Sequence, residues 1–353
     1  MSTHLRRILV TGGCGFIGSN FIHYLLREHP ECHVINLDKL TYAGNPDNVR
    51  SLEGDPRYRF VRGDICDVAL VGELVEGVDA IVNFAAETHV DRSLIDAGSF
   101  IATDILGTYV ILEAARRHPH LKRILQVSTD EVYGEMAEGC SAKEEDPLHP
   151  RSPYSASKAG ADMQCLAFWQ SYATPVIVTR CANNLGARQH LEKMVPLFIT
   201  NALIDEPLPL YGDGQQVRDW LFVEDHCRAL DLVLRRGQPG QIYNIGADNY
   251  RHNIEVAEAI LAIVAKPKTL IRFVDDRKGH DRRYSVDWSK LRSLGWSPEH
   301  DFRTALEKTV AWYTNNRWWW ERVRCGQFRD YYRRQYSWRL ARAKQYQPRH
   351  VSV

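Results

Sequence analysis

Two clusters in this chain have the residue types and spacing to do chemistry. The first is Tyr154-Ser155-Ala156-Ser157-Lys158. On a helix, residues four apart lie one turn apart on the same face, so the phenol and the ammonium are neighbours. A tyrosine normally titrates near 10. A nearby ammonium favours the phenolate and makes it a usable base at neutral pH. The second cluster is Ser128-Thr129-Asp130-Glu131. The Thr129 hydroxyl can bond a substrate hydroxyl beside Tyr154. Two adjacent carboxyls can divide proton work if their environments differ, one staying protonated and the other ionised. An isolated Asp-Glu pair reads as a solvated turn. Here it precedes Tyr154 and Lys158, and acid–base work is the better reading.

A third cluster is built to hold a ligand. Thr11-Gly12-Gly13-Cys14-Gly15-Phe16-Ile17-Gly18-Ser19-Asn20 carries glycines at 12, 15 and 18. That spacing suits a tight turn, close approach of a pyrophosphate to the backbone, and packing of a helix on a strand. Asp38 lies 20 residues beyond Gly18. An acid there bonds ribose hydroxyls and repels a 2′-phosphate, which favours NAD over NADP. Gly63-Asp64-Ile65 and Phe84-Ala85-Ala86-Glu87-Thr88 extend the same site. Asp64 could face an adenine amino group, and the small residues let backbone lie against the cofactor. A positively charged nicotinamide would further lower the Tyr154 pKa.

The elements that must position these clusters alternate. Arg7–Thr11, His33–Leu37, Tyr58–Arg62, Ala80–Phe84, Arg123–Ser128 and Val176–Arg180 read as strands. Ile17–Arg27, Val68–Val75 and Ser99–Arg117 have helical apolar spacing. Strands separated by helices imply parallel pairing. The fold class is therefore α/β, a Rossmann-type doubly wound parallel sheet with a smaller C-terminal α/β substrate domain. The ligand clusters fall at strand carboxyl ends, where such sheets bind ligands. The expected division is a cofactor domain over 1–185, a substrate domain over 186–336 with some segments returning to the first, and a basic tail over 337–353; the Arg- and Tyr-rich stretch from about Gly326 reads as solvated and partly helical, with a local anion or partner contact as the alternative. No repeat period or low-complexity segment appears.

Composition narrows the class. Of 353 residues, 44% are hydrophobic and 25% charged, which excludes a disordered chain. Lys+Arg number 45 and Asp+Glu 44, so nothing global points to nucleic acid or an anionic membrane. No run of about 18 apolar residues appears, so no membrane span is expected. The N-terminus shows no signal-peptide pattern. The eight cysteines form no Cys-x-x-Cys pair and no zinc spacing with histidine. Free thiols, a cytoplasmic location and no metal are the expectations.

The glycine loop, Tyr154/Lys158 and the Thr129 strand end resemble the extended short-chain dehydrogenase/reductase superfamily. Thr129-Asp130-Glu131 narrows the likeness to the dTDP-glucose 4,6-dehydratase family, since related sugar 4-epimerases lack the Asp-Glu pair. The strings Leu40-Thr41-Tyr42-Ala43-Gly44-Asn45, Ala85-Ala86-Glu87-Thr88-His89-Val90-Asp91-Arg92-Ser93, Arg218-Asp219-Trp220 and Gly279-His280-Asp281-Arg282-Arg283-Tyr284 agree. The likeness runs from about residue 6 to 336.

The resemblance implies a reaction and its site. Tyr154 takes the C4 hydroxyl proton, Lys158 holds the phenolate, Glu131 removes the C5 proton, and Asp130 protonates the departing C6 hydroxyl. NAD takes hydride from C4 and returns it to C6. The likeness adds Phe16, Ile17, Lys39, Thr41, Ile65, Thr103 and Asn184 to the cofactor site. It places Thr88, Asn183, Glu192, Lys193, Pro209, Leu210, Tyr211, Arg218, Asn253, His280 and Tyr284 around a nucleotide-diphosphate sugar. Lys193 and Arg218 suit a diphosphate, Arg218 through a forked contact, and Tyr211 offers a face to a base. It also implies a homodimer, for which the helices near Ser99–Arg117 and Tyr154–Tyr172 are the candidates; the alternative is that both simply pack on the sheet.

The chain departs from the family pattern at several places. Leu185 and Ala187 replace a Tyr and a Pro, His190-Leu191 replaces Phe-Pro, and Asp104 replaces an Asn. The Leu185–Leu191 loop is therefore expected to tune substrate choice, with the fold indifferent to restoring the usual residues. Two alternatives stay open: a dehydratase for UDP-sugars or one stopping at a 5,6-alkene, and a catalytically weak binding protein.

Overall fold

The structure, a computed structural model, describes residues 3–346. β1 (Arg7–Thr11), α1 (Phe16–Glu28), β2 (His33–Asp38), β3 (Tyr58–Arg62), α2 (Val68–Val75) and β4 (Ala80–Asn83) follow in order. Two short helices, α3 (Val90–Ser93) and α4 (Ala97–Phe100), lead through a π-helical stretch, Ile101–Gly107, into α5 (Thr108–Arg116). Then come β5 (Arg123–Thr129), α6 (Pro153–Tyr172), β6 (Val176–Cys181) and β7 (Asn183–Leu185). The later part holds α7 (Met194–Leu203), β8 (Leu208–Tyr211), β9 (Val217–Phe222), α8 (Val223–Arg236), β10 (Ile242–Ile245), β11 (Tyr250–His252) and α9 (Asn253–Ile263). It ends with β12 (Ile271–Val274), α10 (Ser289–Ser293), α11 (Phe302–Asn315), α12 (Arg317–Arg324), α13 (Gln327–Ala341) and β13 (Lys344–Gln345).

All six strands read from the sequence enter one parallel sheet, in the order β3-β2-β1-β4-β5-β6-β10. Its middle strands are apolar on both faces because helices cover both. The order reverses between β1 and β4, which opens a crevice at their carboxyl ends. The seventh strand comes from beyond residue 185. With it return α8, whose Cys227, Leu230 and Leu234 join the core around α1, and Trp288, Leu291 and Trp296 beside α10. Two three-stranded sheets, β11-β9-β7 and β13-β12-β8, and a second apolar core around α7, α9 and α11 build the other lobe.

Two expectations change. The Ser99–Arg117 helix is not one regular α-helix, because its centre widens into the π turn. Here α6 and the π stretch lie close, since a Cβ at Gly160 would stand 2.8 Å from Ile105; the stretch also meets the turn after β3, where a Cβ at Gly107 would stand 2.4 Å from Ile65. The stretch from about Gly326 is not wholly solvated: it forms α13, which runs unbroken past residue 336. Phe328, Tyr331 and Tyr336 bury in the second core, and β13 pairs with β12. Residues 347–353 of the expected tail lie outside the described residues.

Candidate active site

Each chemical cluster sits where a strand hands over to a turn. After β1 the chain turns through Gly12 at φ 68°, where a Cβ would stand 2.7 Å from the Ala85 nitrogen. A Cβ on Gly18 would stand 2.4 Å from the Gly12 carbonyl oxygen. Backbone of β1, β4 and α1 therefore meets here only because the side chains are absent. Asp38 ends β2, buried, its carboxylate accepting the Cys14 N–H at 2.8 Å and the Leu40 N–H at 2.7 Å. Burial pushes its pKa up while these two bonds pull it down. Lys39 pairs with Asp64 at 2.6 Å.

At the end of β5, the Thr129 hydroxyl accepts the Glu131 N–H at 3.2 Å and caps a short turn, Asp130–Tyr133. Thr129 also donates to Asp130 at 3.3 Å. The buried Arg180–Asp162 pair, with Arg180 stacked 4.7 Å from the Tyr133 ring, holds this turn from below. The helix α6 starts on a capping box. Ser152 Oγ accepts the Ser155 N–H and Ser155 Oγ accepts the Ser152 N–H, with Pro153 at the first helical position. That start fixes the turn carrying Tyr154 and Lys158. Lys158 Nζ donates to the Val127 carbonyl at 2.8 Å.

These ends line one cavity of about 320 Å³. Gly12, Gly15, Phe16, Ile17, Gly18, Asp38, Lys39, Thr41, Asp64, Ile65, Phe84, Ala85, Ala86, Glu87, Thr103 and Asn184 face it, and so do Thr129, Asp130, Glu131, Tyr154 and Lys158. Every residue expected at the cofactor and the reacting centre thus borders one space. Thr88, Asn183, Glu192 and Lys193 join them. An adjoining cavity of about 140 Å³ shares Glu131, Asn183, Glu192 and Lys193 and adds Pro209, Leu210, Tyr211, Arg218, Asn253 and His280. Tyr284 stands behind that wall, under the Arg218 guanidinium at 4.3 Å and 3.4 Å from a Glu131 oxygen.

The electrostatics separate the two carboxyls. Asp130 is buried, and desolvation together with the Glu131 charge pushes its pKa well above the carboxylate range. One of its oxygens, Oδ2, has no hydrogen-bond partner among the described residues. That is the environment of a carboxylic acid with a proton to give. Glu131 is only half-buried. For Tyr154 the expected depression does not arise from the protein alone. Burial and then the Glu131 and Asp104 charges push the phenol up, and the Thr129 hydroxyl pulls it down.

The structure brings in residues that sequence reasoning missed. Arg277 lines the smaller cavity and lies 3.5 Å from Asp91, a third cation beside Lys193 and Arg218. Asp91 also accepts from Tyr211 OH and from Gln335, both at 2.9 Å, so α13 reaches the site, and Tyr336 lines it. Arg277 had a signal, since it stands two residues before Gly279-His280. The α13 contacts had none, because they depend on how the last helix packs.

The Leu185–Leu191 loop also needs correction as a reader of substrate. Leu185 and Leu191 are fully buried in the second core, and the Ala187 carbonyl accepts from Asn20. Of the departures in this loop only His190 faces the larger cavity. Its ring lies edge-on to Tyr42 and Phe328. Its Nδ1 accepts the Glu192 N–H at 3.4 Å, so the neutral ring carries its proton on Nε2. Burial lowers its pKa to about 4.

Comparison with known proteins agrees with this geometry. Residues 9–309 match the family model described as GDP-mannose 4,6 dehydratase. A dTDP-glucose 4,6-dehydratase of Actinoplanes sp. is 50% identical over 320 residues, covering 89% of this chain and 99% of that protein. The crystal structure of a dTDP-glucose 4,6-dehydratase from Bacillus anthracis in complex with NAD superposes with a TM-score of 0.85 at 47% identity, covering 90% of this chain and 99% of that one. A dTDP-glucose 4,6-dehydratase from Streptomyces venezuelae, also with NAD bound, gives 0.87 at 48% identity, with the same coverage.

Proposed function

The chain belongs to the family described as GDP-mannose 4,6 dehydratase, within the extended short-chain dehydrogenases/reductases, and from that premise we propose that it is an NAD-dependent dTDP-glucose 4,6-dehydratase. Its product is the 4-keto-6-deoxy sugar nucleotide. One observation carries the reading: Asp130, Glu131, Tyr154 and Lys158 border one cavity with the glycine turn and Asp38. A dehydrogenase or epimerase needs the tyrosine and lysine but has no use for the adjacent acid pair. The nucleotide assignment rests on relatives near 50% identity that carry the dTDP-glucose name.

The residues present fit NAD. The glycine cradle leaves room for a pyrophosphate, and Asp38 presents a carboxylate to ribose hydroxyls. Lys39, which lines the same cavity, is paired with Asp64 and so does not recommend the site to a 2′-phosphate. When bound, NAD supplies the acceptor and donor of the hydride that moves from sugar C4 to C6. The chain's own residues do the rest. Tyr154 accepts the C4 hydroxyl proton, with Thr129 beside it. The Lys158 ammonium, anchored on Val127, attracts the phenolate. A ketone at C4 acidifies the C5 hydrogen, and Glu131 takes it. Asp130 gives its proton to the C6 hydroxyl, which leaves as water. Lys193, Arg218 and Arg277 face the diphosphate, and Tyr211 the base.

The remaining assignments are of the same kind. We read residues 1–185 plus the returning α8 and β10 as the cofactor unit, and the second core as the sugar-nucleotide unit. The stretch Ala97–Arg116 has the length and a mean hydropathy, 1.2, of a membrane span, with 39% of it buried. Ile101, Leu106 and Tyr109 on it, and Met163 and Tyr172 on α6, are exposed apolar residues. We take this face to be the contact with a second copy. Eight free cysteines fit a cytoplasmic enzyme. The test of the function is product analysis with dTDP-glucose.

A further inference from the structure

The last long helix, α13, closes on the wall of the smaller cavity, and its role there rests on the functional reading above. Asp91 from α3, Tyr211 from β8 and Gln335 from α13 form a closed triangle of hydrogen bonds. The Tyr211 hydroxyl donates to Asp91 Oδ2 at 2.9 Å. Gln335 Nε2 donates to the same oxygen at 2.9 Å and to the Tyr211 oxygen at 2.7 Å. A carboxylate, and a hydroxyl whose hydrogen is already given, can only accept. The part of the Gln335 amide that faces them is therefore its NH2, with one hydrogen for each.

Tyr211 is the last residue of β8 and is followed by a turn at Gly212, so the strand alone does not fix its ring. α13 holds that ring in two further ways. Tyr336, which lines the cavity, has its ring 6.1 Å from that of Tyr211 at an interplanar angle of 32°. The Arg339 guanidinium, one turn beyond Gln335, lies 5.6 Å from the Tyr211 ring centroid and donates to the Gln335 carbonyl at 2.6 Å. The other Asp91 oxygen lies 3.5 Å from Arg277. The carboxylate that Gln335 grips thus joins the ring offered to the base with a cation offered to the diphosphate.

We infer that Gln335 is a positioning residue for the sugar nucleotide: from α13 it holds the Tyr211 ring where the base meets it. A ring left loose must be ordered when the ligand arrives, and that ordering weakens binding. The hold acts on the nucleotide, away from C4, C5 and C6, and acts equally before and during the chemistry. Its loss removes binding that ground state and transition state share, which raises KM and leaves kcat alone.

The test is steady-state kinetics with dTDP-glucose for wild type, Gln335→Met, Tyr211→Phe and the double variant. Competitive inhibition by dTDP, which carries the base and the diphosphate but no sugar, is measured beside it. Methionine keeps the length of the glutamine side chain, and Gln335→Ala replaces that variant if it does not fold. Gln335→Met should raise KM and the dTDP inhibition constant together by about 10-fold, the scale of one lost hydrogen bond, with kcat within about twofold. Tyr211→Phe keeps the ring face, loses the hydroxyl and should do the same. The double variant should be no worse than either single one, because both break the same link. Single effects that multiply to about 100-fold in the double variant would overturn the link. An unchanged KM in Gln335→Met, or a loss confined to kcat, would overturn the positioning role and leave the functional reading standing. A wild-type protein that neither converts dTDP-glucose nor binds dTDP would overturn the functional reading itself, and the positioning role with it.

Discussion

Ser157 donates its hydroxyl to Asp104 at 2.6 Å, which ties the wide turn before α5 to the residue next to Lys158. The other Asp104 oxygen accepts the Glu87 N–H at 2.9 Å. Burial pushes the Asp104 pKa up to about 6, and the Lys158 ammonium pulls it back. The carboxylate in turn raises the Tyr154 pKa.

Asp104→Asn keeps both hydrogen bonds, since an amide can accept from Glu87 and donate to Ser157, but it removes the charge. The Tyr154 pKa should then fall, and the acid limb of the kcat/KM profile should move to lower pH. Stability should change in a definite window. A carboxyl with a raised folded pKa stabilises below its unfolded value and loses that contribution as pH rises through the folded one. The rise to about 6 costs on the order of 3 kcal/mol at pH 7. Urea unfolding should show Asp104→Asn more stable than wild type at pH 7, by about 1–3 kcal/mol, with the gain gone below about pH 4.

The Asp104 network also shows what the sequence could and could not reveal. The strand-and-glycine pattern fixed the sheet, because strand alternation and crossover length leave few topologies. The residues lining the larger cavity were readable because they sit at strand ends in strings of fixed spacing. Asp104 stood out only as an unusual residue. Its partners depend on the π turn, which periodicity cannot distinguish from a regular helix. The reach of Gln335 to Asp91 was equally hidden, since it joins residues 244 apart. The Leu185 and Leu191 substitutions looked like changes in a binding loop and proved to be packing.

Glu131→Gln should oxidise the sugar and stop. The variant keeps a side chain of the same size but cannot take the C5 proton. Near-ultraviolet absorbance of reduced nicotinamide should appear on the protein when dTDP-glucose is added, while product falls by at least about 10²-fold. Product at the wild-type rate would contradict the division of work between Asp130 and Glu131.

His190 is the departure that faces the ligands. His190→Phe keeps the ring contacts to Tyr42 and Phe328 and loses the Nε2 donor. Parallel kinetics on dTDP-, UDP- and CDP-glucose should show the kcat/KM ratios shifted by about 10-fold or more. The wild-type ring stays neutral when folded, so it costs stability as pH falls from about 6.5 toward 4. The phenylalanine variant should lose that part of the acid sensitivity. Leu185→Tyr, by contrast, overfills a closed core and should destabilise by about 1–3 kcal/mol.

The exposed apolar face over Ile101, Leu106 and Tyr109 should be covered in solution. Sedimentation velocity should show a dimer for wild type and a monomer for Ile101→Asp. A wild-type monomer at micromolar concentration would remove the dimer assignment.

The most direct measurement is mass spectrometry of the products formed when the purified protein, with no cofactor or metal added, is given dTDP-glucose, UDP-glucose and CDP-glucose in separate reactions. The account predicts that dTDP-glucose loses one water and becomes a sugar nucleotide with a C4 ketone and a C6 methyl group, fastest of the three. It also predicts that the supernatant of the denatured protein contains NAD. Recovery of dTDP-glucose unchanged, or conversion to a C4 epimer of the same mass, would contradict it.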